Sequence, residues 1–529
     1  MPMNRLLDYK NATTVLSKKE KIGQLFMPAA FINDTEEEIQ ALERLIVENY
    51  VGGLCFFHSR ASAATNYEGK KEVIKNEQSF KTLQNLVRRY QQKSKHRLLI
   101  AIDAEWGLAM RIENTPQYPY AITLGALQDN TDLIFKVGKN IAYDCKQAGV
   151  HYNLAPVSDI NNNPNNPVIG FRSFGEDKTN VTEKSLAYVK GMQSEGVICS
   201  IKHFPGHGDT AVDSHLGLPI IEKSKEELLN NELFPFKELI KENVDSIMVG
   251  HLSVPSLANG QSISSSISKD IINGLLRNEL GFKGVVISDA LNMHAVSKNY
   301  PVKGKLEWLA FDAGNDILCF AEHISEGIET IKINARDTQI EEAFKRVWEL
   351  KVKAFKAEVD IPKELSNPDV LNEEIAKNCI TFCNGNKSEI IALREKDFLS
   401  MSNIQNADNL FVAELKEHFN FKCISLTEEF DKSDIANAEN ILLSLFPPQV
   451  KPTDNFGFTK TEIQFINELI SSKNVVLYLF GNPYALRVFD YKNASAVVLA
   501  YQEFAAFQKV AAAHFMGSVI AKGKLPVVL

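Results

Sequence analysis

Short apolar runs alternate with amphipathic stretches over the first two-thirds of the chain. Eight runs stand out: "LFMPAAF" (25–31), "GGLCFF" (52–57), "RLLIAID" (97–103), "VHYNLAPV" (150–157), "VICSIKHF" (197–204), "SIMVGHL" (246–252), "GVVISDA" (284–290) and "DILCFA" (316–321). Between most of them the apolar residues recur at helical spacing, as in "EEEIQALERLIVEN", "FKTLQNLVRRYQQ", "DLIFKVGKNIAYDCKQAG", "TEKSLAYVKGMQSEG", "KEELLNNELFPFKELIKEN" and "KDIINGLLRNELG". Short apolar runs without strict alternation predict strands buried on both faces, and strands alternating with helices predict a parallel sheet. Eight such units fit an α/β fold built on a (β/α)8 TIM-like barrel. A doubly wound sheet is the competing arrangement. It more often carries a glycine-rich phosphate loop after its first strand, and none is present.

A helix predicted over 339–355 closes this region. The stretch "KAEVDIPKELSNPDV" that follows is charged, proline-bearing and weakly periodic, so it reads as a linker. A second α/β pattern comes after it, in "NLFVAELKEHF", "NILLSLF", "NVVLYLFG" and "SAVVLAY". The pattern ends on a helix predicted over 503–523 and an apolar strand, "KLPVVL", an abrupt stop of the kind expected in a chain cut from something longer. The predicted organisation is a barrel catalytic domain over 1–356, a linker and helix over 357–380, and a smaller α/β sandwich domain over 381–529.

Composition narrows the partners. The 529 residues are 44% hydrophobic and 23% charged, ordinary for a globular protein. A net charge of -8 and the lack of a basic run argue against nucleic acid. No run approaches the roughly 20 apolar residues of a membrane span. The seven cysteines are scattered and form neither a zinc motif nor a disulfide framework. The first residues lack the apolar core of a signal peptide, so the chain as it stands is expected in the cytoplasm; a removed leader would make it periplasmic or secreted. Nothing in the pattern bears on oligomeric state.

A barrel places its chemistry where strands end and loops begin. Asp103 ends the third run, Asp159 follows the fourth, His203 lies near the end of the fifth and His251 near the end of the sixth, and Asp289 ends the seventh. The stretch "IKHFPGHGDTAVDSHLGLP" (201–219) adds His207, Asp209, Asp213 and His215, with Gly206 and Gly208 flanking His207. In extended chain, residues two apart point the same way. Asp213 can then orient His215 as a general acid/base that works near neutral pH. A metal site on His203, His207, Asp209, Asp213 and His215 is a second reading, though the spacing matches no common ligand motif. A solvated polar loop is the third.

Asp289 directly after a buried strand suits a nucleophile, and it equally suits a cap for the next helix. Asp103, Glu105, Arg111, Arg172, Glu176, Asp177, Lys202 and His203 offer the donors and acceptors that a hydroxyl-rich ligand needs, or else salt bridges along the rim. Trp106 either stacks on a sugar ring or fills core.

These motifs coincide with a family. Through "IDAEWGLAMR", "NLAPVSDINNNPNNPVIGFRSFGED", "KHFPGHGDTAVDSH" and "VVISDALNM", the chain resembles glycoside hydrolase family 3, in particular its bacterial β-N-acetylglucosaminidase branch. The resemblance implies that Asp289 is the catalytic nucleophile and His215 the acid/base, with Asp213 as its partner. It implies that Asp103, Arg111, Arg172, Lys202 and His203 bind the sugar. Where the family often has two glycines after the glutamate matching Glu105, this chain has Trp106 in place of the first. The implied function is that of a retaining exo-β-N-acetylglucosaminidase acting on a small carbohydrate such as a muropeptide or chitin oligomer, with no metal and no organic cofactor. A β-N-acetylglucosaminide phosphorylase and a β-glucosidase or β-xylosidase are the alternatives within the fold. A metal-dependent hydrolase and an inactive sugar-binding module are those outside it.

Overall fold

In the computed structural model, residues 6–60, 75–210, 217–356, 364–429 and 432–529 are described. All eight apolar runs of the first region contain strand. Phe26–Met27 (β1) and Ala29–Phe31 (β2) come from the first run, split by Pro28, whose carbonyl still accepts from Cys55 N. The others give Gly53–Phe57 (β3), Leu99–Ile102 (β4), Tyr152–Asn153 (β5), Ile198–Phe204 (β6), Ser246–Val249 (β7), Val285–Ser288 (β8) and Leu318–Cys319 (β9). A seven-stranded sheet runs in the order β2-β3-β4-β5-β6-β7-β8, and every pair in it is parallel. β1 pairs in parallel with β9, and a parallel bridge joins Ile287 to Ile317. The strands are buried along almost their whole length, which is why they read as continuous apolar runs.

The helices follow their local signals. Thr35 and Glu38 form a capping box at the start of Glu36–Asn49, and that helix ends where Tyr50 turns left-handed at φ 54°. The amphipathic stretch 225–243 is two helices, Lys225–Asn230 and Phe234–Lys241, rather than one. Pro235 sits in the first turn of the second, where its missing N–H costs nothing, and it cannot continue the first.

The chain divides into two compact units. The first holds residues 1–118, 134–160 and 181–367, and the second holds 119–133, 161–180 and 368–529. The second unit has a six-stranded sheet in which Thr381–Asn384 (β10), Leu399–Ser402 (β11), Lys422–Ser425 (β12), Asn440–Leu445 (β13), Asn474–Leu479 (β14) and Ala496–Leu499 (β15) are ordered β10-β15-β14-β13-β11-β12. All pairs are parallel except β10 with β15. Only β13, β14 and β15 stand out as apolar runs; "TFCN", "LSMS" and "KCIS" are too short and too polar to signal a strand.

Two expectations at the end of the chain need correction. The last helix, Ala505–Met516, stops at Gly517, which is left-handed at φ 89°. "KLPVVL" is not a strand: Lys524 N donates to Ala126 O and Pro526 O accepts from Glu176 N, so this segment bonds to the loops of its own unit instead of the sheet.

One ion cluster underpins the first unit. Asp316, buried before β9, accepts from Arg277 at 2.5 Å, from Arg346 at 2.9 Å and from Val286 N at 2.9 Å. Asp316→Ala leaves the mostly buried Arg277 without this carboxylate, holding only the Phe282 and Gly284 carbonyls, and should cost the unit about 3 kcal/mol. Urea unfolding should show this as a lower midpoint with an unchanged slope.

Candidate active site

β4 and β6 deliver opposite charges to the ends of their strands. Asp103 follows β4 directly, and Lys202 lies two residues before the end of β6. The Lys202 ammonium sits 2.8 Å from Asp103 Oδ1 and 2.8 Å from Glu105 Oε1. Arg111 Nη2 donates to Asp103 Oδ2 at 3.0 Å, and its guanidinium lies 3.8 Å from the centre of the Phe57 ring. Burial opposes ionisation of Asp103, but Lys202 and Arg111 outweigh it and hold the carboxyl below its ordinary range. Gly107 has to be glycine: its φ is 105°, and a Cβ would meet Pro116 O at 2.6 Å. Trp106 beside it is half-buried.

A second carboxylate organises the histidine stretch. Asp159 is fully buried; its Oδ2 lies 2.7 Å from His203 Nδ1, and its Oδ1 accepts from His203 N at 3.1 Å and His207 N at 2.8 Å. A carboxylate can only accept, so His203 Nδ1 carries the hydrogen. Burial works against the Asp159 anion, yet His203 and His207 keep its carboxyl below the usual range. His207 Nδ1 meets Thr210 Oγ1 at 2.8 Å.

Asp289 follows β8. Its own N–H donates to Val249 O at 2.9 Å, and its Oδ1 accepts from Ala290 N at 2.8 Å. Burial would raise its pKa, but His251, His203, the Ala290 N–H and Lys202 pull it down to about 2. His251, at the end of β7, bridges Ser266 Oγ at 2.8 Å and Ala290 O at 2.9 Å.

Of the residues expected at the site, Asp103, Arg111, Lys202, His203 and Asp289 thus share the first unit and act on one another. Arg172 belongs to the second unit, where its Nη1 donates to Val168 O at 3.1 Å. Asp213 and His215 lie outside the described residues. Asp159 and His251 stand out in the sequence only by their positions at strand ends; their partners, which define what they do, lie far along the chain. Asp209, one of the donors in the metal reading, is ion-paired with Lys223 at 2.6 Å. Among the described residues, no group of three or more His, Cys, Asp or Glu is arranged to hold a metal.

A strand-end site of acids, bases and imidazoles on a parallel α/β sheet is the setting in which the comparisons fall. The model of the glycosyl hydrolase family 3 N-terminal domain matches residues 17–350, and the chain belongs to that family. Its sequence is 34% identical over 378 residues to beta-hexosaminidase A of Pseudoalteromonas piscicida, a match covering 64% of this chain and 60% of that protein. It is 25% identical over 402 residues to a beta-N-acetylglucosaminidase/beta-glucosidase of Cellulomonas fimi, covering 72% of this chain and 67% of that protein. Its fold matches the family 3 beta-N-acetylglucosaminidase of Paenibacillus sp. str. FPU-7 with a TM-score of 0.78 at 26% identity, over 97% of this chain and 99% of that one. No helix among the described residues is long and apolar enough to cross a membrane.

His207 gives the site a pH signature. Burial and the neighbouring His203 push its pKa down to about 4, against the pull of Asp159. The unfolded chain therefore takes up a proton, near the ordinary value of about 6.5, before the folded chain does. The contribution of His207 to stability is full at pH 7 and falls as the pH drops from 6.5 toward 4. The destabilisation caused by His207→Asn should be about 2 kcal/mol smaller at pH 5 than at pH 7 in paired urea titrations.

Proposed function

We propose that the chain is a retaining exo-β-N-acetylglucosaminidase. In this reading the two parallel sheets of the first unit are the staves of a (β/α)8 barrel, and the six-stranded sheet is the core of an α/β sandwich domain. The observation that carries the catalytic part is the state of Asp289. Its carboxyl, drawn down to about 2 on a rigid strand end, is an anion at any working pH. Such a group attacks rather than donates. Asp103 and Glu105 are tied to Lys202, and Asp159 to His203, so none of them is a spare proton donor.

The mechanism follows. An oxygen of Asp289 attacks the anomeric carbon as the glycosidic bond breaks, and protonated His215, oriented by Asp213, gives its proton to the leaving oxygen. Neutral His215 then takes a proton from water, which attacks the same carbon and releases Asp289. Asp103 accepts from sugar hydroxyls, and Arg111, Lys202 and His203 bind the sugar with it. With Nδ1 committed to Asp159, His203 has Nε2 for that purpose.

The preference for N-acetylglucosamine draws on what the relatives from Pseudoalteromonas and Paenibacillus are called. The Cellulomonas relative is also named a beta-glucosidase, so β-glucosides are the second substrate class to test.

Asp289→Ala should abolish turnover of every aryl β-glycoside. His215→Ala should lose about 10²–10⁴-fold on poor leaving groups. On a dinitrophenyl substrate it should keep a burst of phenol, followed by a slow phase that azide accelerates. Equal loss on both substrate types, with no burst and no azide effect, would remove His215 from the acid/base role.

A panel of aryl β-glycosides, with and without phosphate, tests the substrate. N-acetylglucosaminides should be hydrolysed at a rate phosphate leaves unchanged. Release from glucosides alone overturns the sugar assignment, and a sugar 1-phosphate product makes the enzyme a phosphorylase. Exhaustive chelation should leave the rate intact; a loss that zinc restores would revive the metal-dependent hydrolase.

A further inference from the structure

His251 is a buried imidazole to which the mechanism above gives no role. It follows β7, it is fully inaccessible to solvent, and Ser264 and Ser266 beside it are buried as well. The Ala290 carbonyl, 2.9 Å from Nε2, can only accept, so Nε2 carries a hydrogen. Nδ1, on the other side of the ring, meets the Ser266 hydroxyl at 2.8 Å. Ser266 Oγ in turn meets Ser264 Oγ at 3.0 Å, and its backbone is held by Asn315 Nδ2, which donates to Ser266 O at 2.8 Å. The chain of bonds continues beyond the imidazole, because the residue whose carbonyl His251 holds is the one whose N–H donates to Asp289 Oδ1 at 2.8 Å.

The turn that carries Asp289 is thus fastened at three points. Asp289 N donates to Val249 O at the end of β7, and Leu291 N donates to Cys319 O on β9. Between those two backbone anchors the carbonyl of Ala290 accepts from Met293 N of its own turn at 3.0 Å and meets the His251 imidazole at 2.9 Å, and the imidazole is what ties it across to the chain after β7. A nucleophile in line with one carbon atom is sensitive to displacements well under an ångström, and orientation is worth several powers of ten in rate. Without the imidazole, the Ala290 carbonyl would keep only the Met293 N–H of its own turn and the Ser266 hydroxyl would keep Ser264, so the turn would lose its side-chain tie to the chain after β7.

We infer that His251 is a positioning residue for the Asp289 carboxylate, acting through Ala290 and held in the required orientation by Ser266. The inference rests on the reading of Asp289 as nucleophile. It predicts a defect in the attack itself, with sugar binding left alone.

Two substitutions at one position separate positioning from packing. The amide nitrogen of Gln in His251→Gln reaches about as far as Nε2 and can still donate to Ala290 O. The shorter amide of His251→Asn stops near Nδ1 and cannot. In the full chain, His251→Asn should lower kcat/KM by about 10–100-fold on both dinitrophenyl and nitrophenyl N-acetyl-β-glucosaminides, because both need the same attack. The inhibition constant of free N-acetylglucosamine should stay within about twofold, and His251→Gln should recover most of the lost rate. Should His251→Asn not fold, Ser266→Ala removes only the hydroxyl that orients the ring, and should cost about 3–10-fold in kcat/KM with the same unchanged inhibition constant.

Equal losses in the Asn and Gln variants, or an inhibition constant that rises in step with the lost rate, overturn the inference. Asp289→Ala run in parallel distinguishes the two levels. If Asp289→Ala is inactive while His251→Asn is as fast as wild type, only the positioning role fails. If Asp289→Ala keeps its activity, the reading of the nucleophile fails.

Discussion

The side chain of Lys202 is only 3% exposed, and an ammonium so far from water persists only where fixed anions replace its hydration. Asp103 and Glu105 do this, each at 2.8 Å. To bring them there the ends of β4 and β6 must lie level across β5, which is only two residues long. The chain after β5 takes over the alignment: Lys202 N donates to Pro156 O, and Ser158 N donates back to Lys202 O. The next residue is Asp159, which takes His203. One register therefore sets both the buried ammonium and the neighbouring imidazole. A slip of one residue would turn Lys202 to the other face of the strand and separate both pairs.

Charge compensation around Lys202 also settles the state of the carboxylates. Asp103, Asp159 and Asp289 are all burdened by burial, and all three are held below their ordinary pKa by cations, imidazoles or N–H donors. Such a cluster holds its charges in place before any ligand arrives, so the reorganisation that water would require is avoided. It also has a chemical limit: anions with depressed pKa values accept and attack, and do not give protons. A glycosidase built on this cluster needs its acid from elsewhere, and an imidazole fits that need in the proposed mechanism because it titrates near neutral pH.

The second unit shows how a chain can mislead a linear reading. Residues 119–133 and 161–180 lie in sequence between strands of the first unit, yet they pack with 368–529. Asn161 Nδ2 donates to Tyr484 OH at 2.8 Å, Gln502 Nε2 donates to Thr123 Oγ1 at 2.6 Å, and Tyr120 meets the Phe171 ring edge-on. These contacts are made by an asparagine, a glutamine, a threonine and scattered aromatics, with no periodicity to mark them. Arg172 travels with this group, and so its structural neighbours are those of the second unit.

Periodicity in the sequence determined the parallel strands of the first unit, because a strand buried on both faces must be apolar throughout and a helix between strands must be apolar on one side. It also determined where polar groups would collect, since a catalytic side chain on such a sheet has to follow the last buried residue of a strand. Asp103, His203, His251 and Asp289 were all legible on that ground. The sequence did not reveal β10, β11 and β12, whose four residues each are too few to carry a pattern. Nor did it reveal which groups act on which. Asp159 lies 44 positions from His203, and His251 lies 39 from Ala290. Partnerships at that separation depend on strand order and register, which only the tertiary structure decides. The same is true of ionisation: an isolated aspartate has an ordinary carboxyl, and only the fold sets burial against the fixed charges that hold Asp289 as an anion.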